Sequence, residues 1–501
     1  MRKGQTRTLI FLSALVLFSL AIYSNTLQNG FVLDDESHIV ENPWIRDFGH
    51  LKEIFSSNLL KVPGDSNYFR PMMHLIYTFC YSLFGLSAWG YHLVNILWHA
   101  GASTLVFFVA REVVSASKAG GESAIPAGMA ALIFAAHPVH TEAVSWIAGV
   151  MDLSCAFFFL LSLLFYIKSG RAGRPGLALS VFFYFLAMLG KEPAIVLPAV
   201  LFAWDRAFAE DKLSVRLKRY LPYIAGAGVY LFMRFYALKG LAPVHHEIKS
   251  GMFLFLVDTS VLFGKYIKMV LFPVGLNFFH LYRPVSSAME PGAMLWLAFV
   301  FLFLIIAVYS AARLKSVFVG LSLFIFPLLP ALYTPALIQR YENPFAERFL
   351  YLPSAGFTVL MALGLAKLLN RYPGRARAAA AVFSIFLILF SIGTYQRNPV
   401  WKSNLSLWAD VVSKSPESPI AHLSLGEALF FEGRLAEAIG HMETAVSRDP
   451  DPDSRNNLGT AYAKAGMMEK AIEQFEAALA QRPEDPLFRA NLERARRLKG
   501  K

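Results

Sequence analysis

Residues 8–23 read Thr8-Leu9-Ile10-Phe11-Leu12-Ser13-Ala14-Leu15-Val16-Leu17-Phe18-Ser19-Leu20-Ala21-Ile22-Tyr23 without a single charge, and ten residues later comes Leu33-Asp34-Asp35-Glu36. An uncharged apolar run suits hydrocarbon, and three consecutive acids do not. The chain has therefore left the bilayer by Asp34, at a surface where a carboxylate meets both water and lipid headgroups.

The rest of the chain extends this pattern. It is 56% hydrophobic and only 16% charged, with 44 Phe in 501 residues, which places it among polytopic membrane proteins. A crossing takes roughly 17–25 mostly apolar residues. On that measure the spans lie near 8–23, 89–110, 125–140, 151–168, 175–190, 193–209, 218–236, 293–311, 316–333, 349–367 and 378–395, eleven in all. The stretch 252–273 is also apolar, but Lys265 and Lys268 interrupt it, and it reads as interfacial or re-entrant.

Residues 1–23 read as a retained first helix, because no small-x-small cleavage site follows Tyr23. Basic residues set the orientation. Arg2, Lys3 and Arg7 share a face with Lys168, Arg171 and Arg174, with Arg206, Lys212, Arg216, Lys218 and Arg219, with Arg313 and Lys315, and with Lys367, Arg371, Arg375 and Arg377. That face is expected to be cytoplasmic. The opposite loop 24–88 has only Arg46, Lys52, Lys61 and Arg70 as strong bases. The net charge of +12 thus reflects topology and gives no reason to expect a nucleic-acid partner. Cys80 and Cys155 lie in different segments and define neither a disulfide framework nor a metal site.

After about residue 400 the apolar runs stop. Leu425-Gly426, Gly433, Ala438, Ala445 and Pro450 recur as Leu458-Gly459, Gly466, Ala471, Ala478 and Pro483, each 33 residues on. These are the small and turn positions of a tetratricopeptide repeat, with Tyr462 and Phe475 as bulky knobs. The expected fold is all-α: a membrane helical bundle over 1–397 and a repeat solenoid over 398–501. The repeats lie at about 419–451 and 452–485, with 402–415 and 485–499 as flanking helices. Such solenoids present a surface to a peptide or protein partner.

On the external face, polar groups collect at the ends of spans: Asp34-Asp35-Glu36, Arg70, His137-Pro138-Val139-His140-Thr141-Glu142, Met151-Asp152, Lys191-Glu192 and Glu347-Arg348. Polar groups there are costly unless they face a cavity or one another, so a shared pocket is expected. Tyr91, His92, Asn95 and His99 form a stripe at helical spacing, which reads first as packing between helices.

Phe31-Val32-Leu33-Asp34-Asp35, Phe69-Arg70-Pro71, Tyr91-His92-Leu93-Val94-Asn95, His137-Pro138-Val139-His140-Thr141-Glu142-Ala143-Val144, Lys191-Glu192 and Glu347-Arg348-Phe349-Leu350-Tyr351-Leu352-Pro353-Ser354 together resemble the transmembrane and tetratricopeptide-repeat protein family. The resemblance implies a GT-C type glycosyltransferase that takes a sugar, mannose or another hexose, from a polyprenyl-phosphate carrier outside the cytoplasm. It also implies that an acid of the first external loop is the base. A hydroxyl acceptor, protein Ser or Thr in eukaryotic relatives, needs a carboxylate to take its proton. Asp35 is favoured for this, with Asp34 orienting it.

Arg348 is the first candidate to stabilise the leaving phosphate, with Arg70 and Lys191 behind it. Glu192, His137, His140, Glu142 and Tyr351 are expected in the pocket. The spacing of His137, His140 and Glu142 is suggestive of a divalent metal, but the ligand set is incomplete, and no metal or other cofactor is expected beyond the lipid-linked sugar itself. A transporter and a membrane-anchored repeat scaffold are the rival readings. The first lacks the internal repeats expected across its spans, and the second has no need of the charged clusters. Compact loops and two repeats suit a bacterial inner membrane, with the first loop and the repeats on the periplasmic side.

Overall fold

A computed structural model describes residues 2–58, 68–117, 123–172, 174–240, 251–282, 285, 287, 290, 292–332 and 345–500, and Lys61 lies outside them. Among these residues the chain is helical and divides into two compact units. The first comprises Met1–Leu276, Pro284–Gln339 and Glu347–Trp401. The second comprises Asn277–Arg283, Arg340–Ala346 and Lys402–Lys501.

The helices of the first unit are α1 (Arg2–Ile22), α2 (Leu51–Ser56), α3 (Pro71–Phe84), α4 (Ala88–Ala116), α5 (Ala124–Ala136), α6 (Thr141–Ser145), α7 (Val150–Ala172), α8 (Arg174–Gly190), α9 (Leu197–Phe208), α10 (Leu213–Leu238), α11 (Met252–Leu271), α12 (Ala293–Arg313), α13 (Lys315–Leu332), α14 (Pro353–Arg371) and α15 (Ala376–Arg397). All eleven expected spans are helical. Eight of the described helices are long and apolar enough to cross a membrane, and a ninth is added if α5 and 138–145, bent by 49°, count as one. The other two expected spans are shorter. α8 has 17 residues and α9 only 12, because Pro193 and Pro198 divide that segment into a 3-10 turn, Glu192–Val196, and a short helix. α11, the stretch broken by Lys265 and Lys268, is one continuous 20-residue helix outside that set.

Burial separates centre from periphery. The best apolar window of Ile147–Ser169 is 78% buried and that of Ala88–Ala116 61% buried, so α4 and α7 form the heart of the bundle. The windows of Ala293–Arg313 and Pro373–Lys402 are 11% and 6% buried, so α12 and α15 turn most of their surface outward. With no hydrophobic drive between helices in lipid, close approach depends on small residues. Gly356 on α14 shows this best: a Cβ there would lie 2.3 Å from the Phe324 backbone nitrogen of α13.

The second unit holds α16 (Asn404–Lys414), α17 (Pro419–Phe431), α18 (Leu435–Arg448), α19 (Pro452–Lys464), α20 (Met468–Gln481) and α21 (Pro486–Lys499). Ser418, Asp451 and Asp485 each cap a helix whose first residue is proline. Gly433 and Gly466 turn each hairpin at φ +78° and +80°. A Cβ on Gly459 would lie 2.7 Å from the Phe475 ring, and one on Gly426 2.7 Å from Met442 Cγ, so glycine sets the spacing within each pair. The helix pairs α17/α18 and α19/α20 are the two expected repeats.

Candidate active site

The first external loop makes a tight turn through Leu33, which has φ +53°. That turn brings the Asp35 amide to the Val32 carbonyl, 3.1 Å, and folds the Asp35 carboxylate inward. Asp35 is fully buried. Its Oδ2 accepts from the Val32 amide and its Oδ1 from the Ala148 amide, both at 3.0 Å. Burial pushes the carboxyl well above the ordinary range, aided by the charge of Asp34 and opposed by the two amides and the Trp146 indole. Asp34 is exposed, and its carbonyl accepts from the His38 amide to open the turn Glu36–Val40. The sequence favours Asp35 over Asp34 for proton transfer, whereas the structure gives surface access to Asp34.

The segment that receives Asp35 is itself held rigidly. Asn95 on α4 donates to the carbonyls of Trp146 at 2.9 Å and Ile147 at 3.2 Å. A Cβ on Gly149 would lie 2.1 Å from the Ala143 carbonyl oxygen, so only glycine fits this elbow. Trp146 joins the two halves of the site. Its indole Nε1 donates to the Val32 carbonyl at 3.4 Å, and the Arg348 guanidinium lies 5.5 Å from its ring centroid.

Beyond Trp146 is a cluster of cations. Arg348 donates from its backbone nitrogen to Glu142 Oε2 at 3.0 Å and from Nη1 to Glu142 Oε1. Lys191 donates to Asp152 Oδ1 at 2.6 Å, and its ammonium lies 5.0 Å from the centroid of the Phe349 ring, which Arg348 approaches at 5.2 Å. Arg70 donates to Glu192 Oε2 at 3.1 Å and to the Met151 sulfur, and lies over the Tyr68 ring. Arg234 of α10 donates to Glu192 Oε1 at 3.0 Å.

Burial pulls the Lys191 pKa down, with repulsion from Arg70 and Arg348 adding to it and Asp152 opposing. Glu192 behaves otherwise: burial pushes it up, but Arg70 and Arg234 outweigh that and hold it below its ordinary value. Arg70, Lys191, Arg234 and Arg348 thus face Asp152, Glu192 and Glu142, four cations to three acids. Asp152 Oδ2 and Arg70 Nε are buried without a hydrogen-bond partner.

The remaining expected residues are committed elsewhere. His137 Nε2 donates to the Val270 carbonyl at 3.0 Å, while its Nδ1 accepts from the Val139 amide. His140 Nε2 pairs with Ser354 Oγ at 2.8 Å. Tyr351 donates its hydroxyl to His99 Nδ1 at 2.8 Å, and His99 Nε2 donates to the Ala135 carbonyl. His137, His140 and Tyr351 are fully buried, His140 and Tyr351 packing against each other and Phe134 of α5, and His137 against Phe390 of α15. Among the described residues no three His, Cys, Asp or Glu side chains gather as a metal set.

Three residues of this region were not singled out in the sequence: Trp146, Arg234 and Arg397. Arg397 donates to both Glu347 oxygens, at 3.1 and 3.2 Å, to Thr141 Oγ1 and to the Leu276 carbonyl. Arg234 did leave a signal, since an arginine in an apolar helix implies a partner.

A tetratricopeptide-repeat family model matches residues 405–451 and 423–486. Protein O-mannosyl-transferase TMTC1 of Homo sapiens is 29% identical over 497 residues, which take in 87% of this chain and 55% of that protein. Protein O-mannosyl-transferase F38B6.6 of Caenorhabditis elegans is 27% identical, with 89% of this chain and 64% of that protein covered. For protein O-mannosyl-transferase TMTC4 of Homo sapiens the identity is 27% and the shares are 86% and 65%. These relatives are named as protein O-mannosyl-transferases. The likeness agrees with the resemblance carried by the motifs, and the chain spans between about half and two thirds of the length of the curated relatives it matches. No solved structure matches.

Proposed function

We propose that this chain is a membrane glycosyltransferase that moves a sugar from a polyprenyl-phosphate carrier to a hydroxyl acceptor, with mannose and a protein acceptor suggested by the names of its relatives and Ser or Thr by the motif resemblance. The observation that carries this reading is Trp146, which links a two-aspartate loop to a buried cluster of cations. The loop supplies a proton acceptor and the cluster supplies charge for a phosphate leaving group.

In this reading the acceptor oxygen bonds to the anomeric carbon as the bond to the phosphate oxygen breaks. The hydroxyl proton passes to a carboxylate and the polyprenyl phosphate leaves as an anion. Asp34 takes the proton, because its side chain is exposed whereas Asp35 is sealed in with an amide on each oxygen. Asp35 is the positioning residue that fixes the turn. Arg348, Lys191 and Arg70 hold the phosphate. Each keeps donors beyond those used in its ion pair, since an ammonium has three and a guanidinium five. The excess positive charge in a largely buried site strengthens that hold.

In this reading Asp34 lies on the extracytoplasmic face of a bacterial inner membrane and the C-terminal repeats on the same side, a topology supported by the basic loops and by the eleven crossings expected from the sequence. There they are suited to bind the acceptor protein.

The test is a purified donor-lipid assay with a short Ser/Thr peptide. Asp34→Asn is expected to slow transfer by about 10²–10⁴-fold, the usual contribution of a general base, with donor binding retained. Transfer at the wild-type rate by Asp34→Asn, together with its loss in an Asp35→Asn protein that melts normally, overturns the division of roles. No transfer by wild type from any polyprenyl-phosphate hexose overturns the function.

A further inference from the structure

α14 and α15 follow one another through the short link Tyr372–Arg375. A cavity of ≈ 400 Å³ opens between them and α5, within the span of about 300–1,000 Å³ of small-molecule sites. Met129, Ile133, Leu365, Val382, Phe383 and Phe386 make its walls apolar, and among the described residues Arg375 is the one charged residue that lines it. We infer that this cleft binds an anionic glycerophospholipid, with acyl chain between the helices and phosphate on Arg375.

The charge pattern identifies the occupant. Lys367, Arg371, Arg375 and Arg377 cluster around the link, and the sequence has no acid from Arg348 to Ala409. The guanidinium of Arg375 lies 4.7 Å from the centroid of the Tyr372 ring and that of Arg371 5.9 Å, so one aromatic residue gathers both. α15 begins at this point with Arg375 as its N-cap and no acid in its first turn, so the positive end of the helix dipole adds to the same field. A zwitterionic headgroup would bring its own ammonium into this field, whereas a net-anionic one would not. Basic pockets between membrane helices favour anionic headgroups.

The donor lipid is a different matter. Its phosphate reacts beside Arg348, just before the first residue of α14, and α14 runs for 19 residues before reaching Arg371. At 1.5 Å per residue the two ends are about 28 Å apart, so one phosphate does not serve both. This separation rests on the role proposed above for Arg348.

The experiment is native mass spectrometry of the full chain in detergent. It uses phosphatidylglycerol, phosphatidylcholine of the same acyl chains, and a polyprenyl phosphate. Wild type is expected to hold phosphatidylglycerol about tenfold or more tightly than phosphatidylcholine. Arg371→Gln with Arg375→Gln should remove that preference, and because both side chains are exposed the variant should melt as wild type does. Ala379→Phe, which fills the cavity, should weaken both lipids. Equal binding of the two lipids by wild type, or a preference that survives the double substitution, overturns the inference. So does one-for-one displacement of phosphatidylglycerol by the polyprenyl phosphate, which would give the cleft to the donor's chain. None of these readings depends on sugar transfer.

Discussion

The two units treat charge in opposite ways. In the first, three ion pairs lie inside the bundle, although Arg219–Asp211 stays at the surface: Glu347 and Glu142 are fully buried beneath Arg397 and Arg348, and the side chains of Lys191 and Asp152 are each more than nine-tenths buried. In the repeat unit the pairs Arg448–Glu417, Arg482–Asp453 and Arg496–Glu476 lie on the outside of a core made of Tyr462, Phe475, Leu458 and small alanines. A buried pair is expensive to desolvate and adds little net stability, so its presence calls for another reason. For the pairs of Arg348, Lys191 and Arg70 the function proposed above supplies such a reason, a phosphate to be held. The repeat unit, whose pairs stay in water, has no such need and folds by burying apolar knobs.

The sharpest way to break this contrast is to remove one partner inside the bundle. Glu347→Ala would leave Arg397 buried without its counter-ion, and the expected loss is about 3–5 kcal/mol, read as a large fall in the melting temperature of the purified protein. Glu347→Leu combined with Arg397→Met should lose less than the single change, because no stranded charge remains. A single substitution that melts like wild type would show that this pair is hydrated, and the distinction between the units would weaken.

The sequence was a good guide where one composition or one period decides the outcome. Each expected span is helical because apolar content leaves few alternatives, and the 33-residue register from Gly426 to Gly459 reappears as two matched hairpins. The site was legible only in part. Arg70, Lys191, Glu192, Glu142 and Arg348 come together, since a charge at the end of a span has few places to go. His137, His140 and Tyr351 carry the same signal and turn out to be packing residues, because a neutral histidine or tyrosine satisfies itself with a carbonyl or a hydroxyl. The difference between Asp34 and Asp35 was not legible. It depends on the Ala148 amide, 113 residues away, and on the positive φ of Leu33.

That dependence gives a prediction of intermediate size. An asparagine at position 35 can accept one amide with its oxygen, but its amino group faces the other donor. Asp35→Asn should therefore cost about 1–3 kcal/mol, the range for a buried polar group left unsatisfied. Because the folded-state pKa of Asp35 is raised by burial, its contribution is fully present below the unfolded carboxyl pKa and is lost as pH rises through the folded value. The gap in melting temperature between wild type and Asp35→Asn should be wider at pH 5 than at pH 8. A gap that widens with pH would mean that Asp35 is held as a carboxylate, and would return it to contention as the base.

The smallest effect belongs to the repeat unit. Arg448 donates to Glu417 at 2.6 Å, but the two side chains are 34% and 68% exposed, so water and salt screen the pair. Arg448→Ala should change stability by less than about 1 kcal/mol, and even that difference should shrink as salt is added. Chemical denaturation of the repeat unit within the full chain, followed by a tryptophan-independent probe on α18, would measure it. A loss of several kcal/mol here, insensitive to salt, would mean that the two units do not divide their ion pairs by burial, and the inference that buried charge marks the functional site would lose its basis.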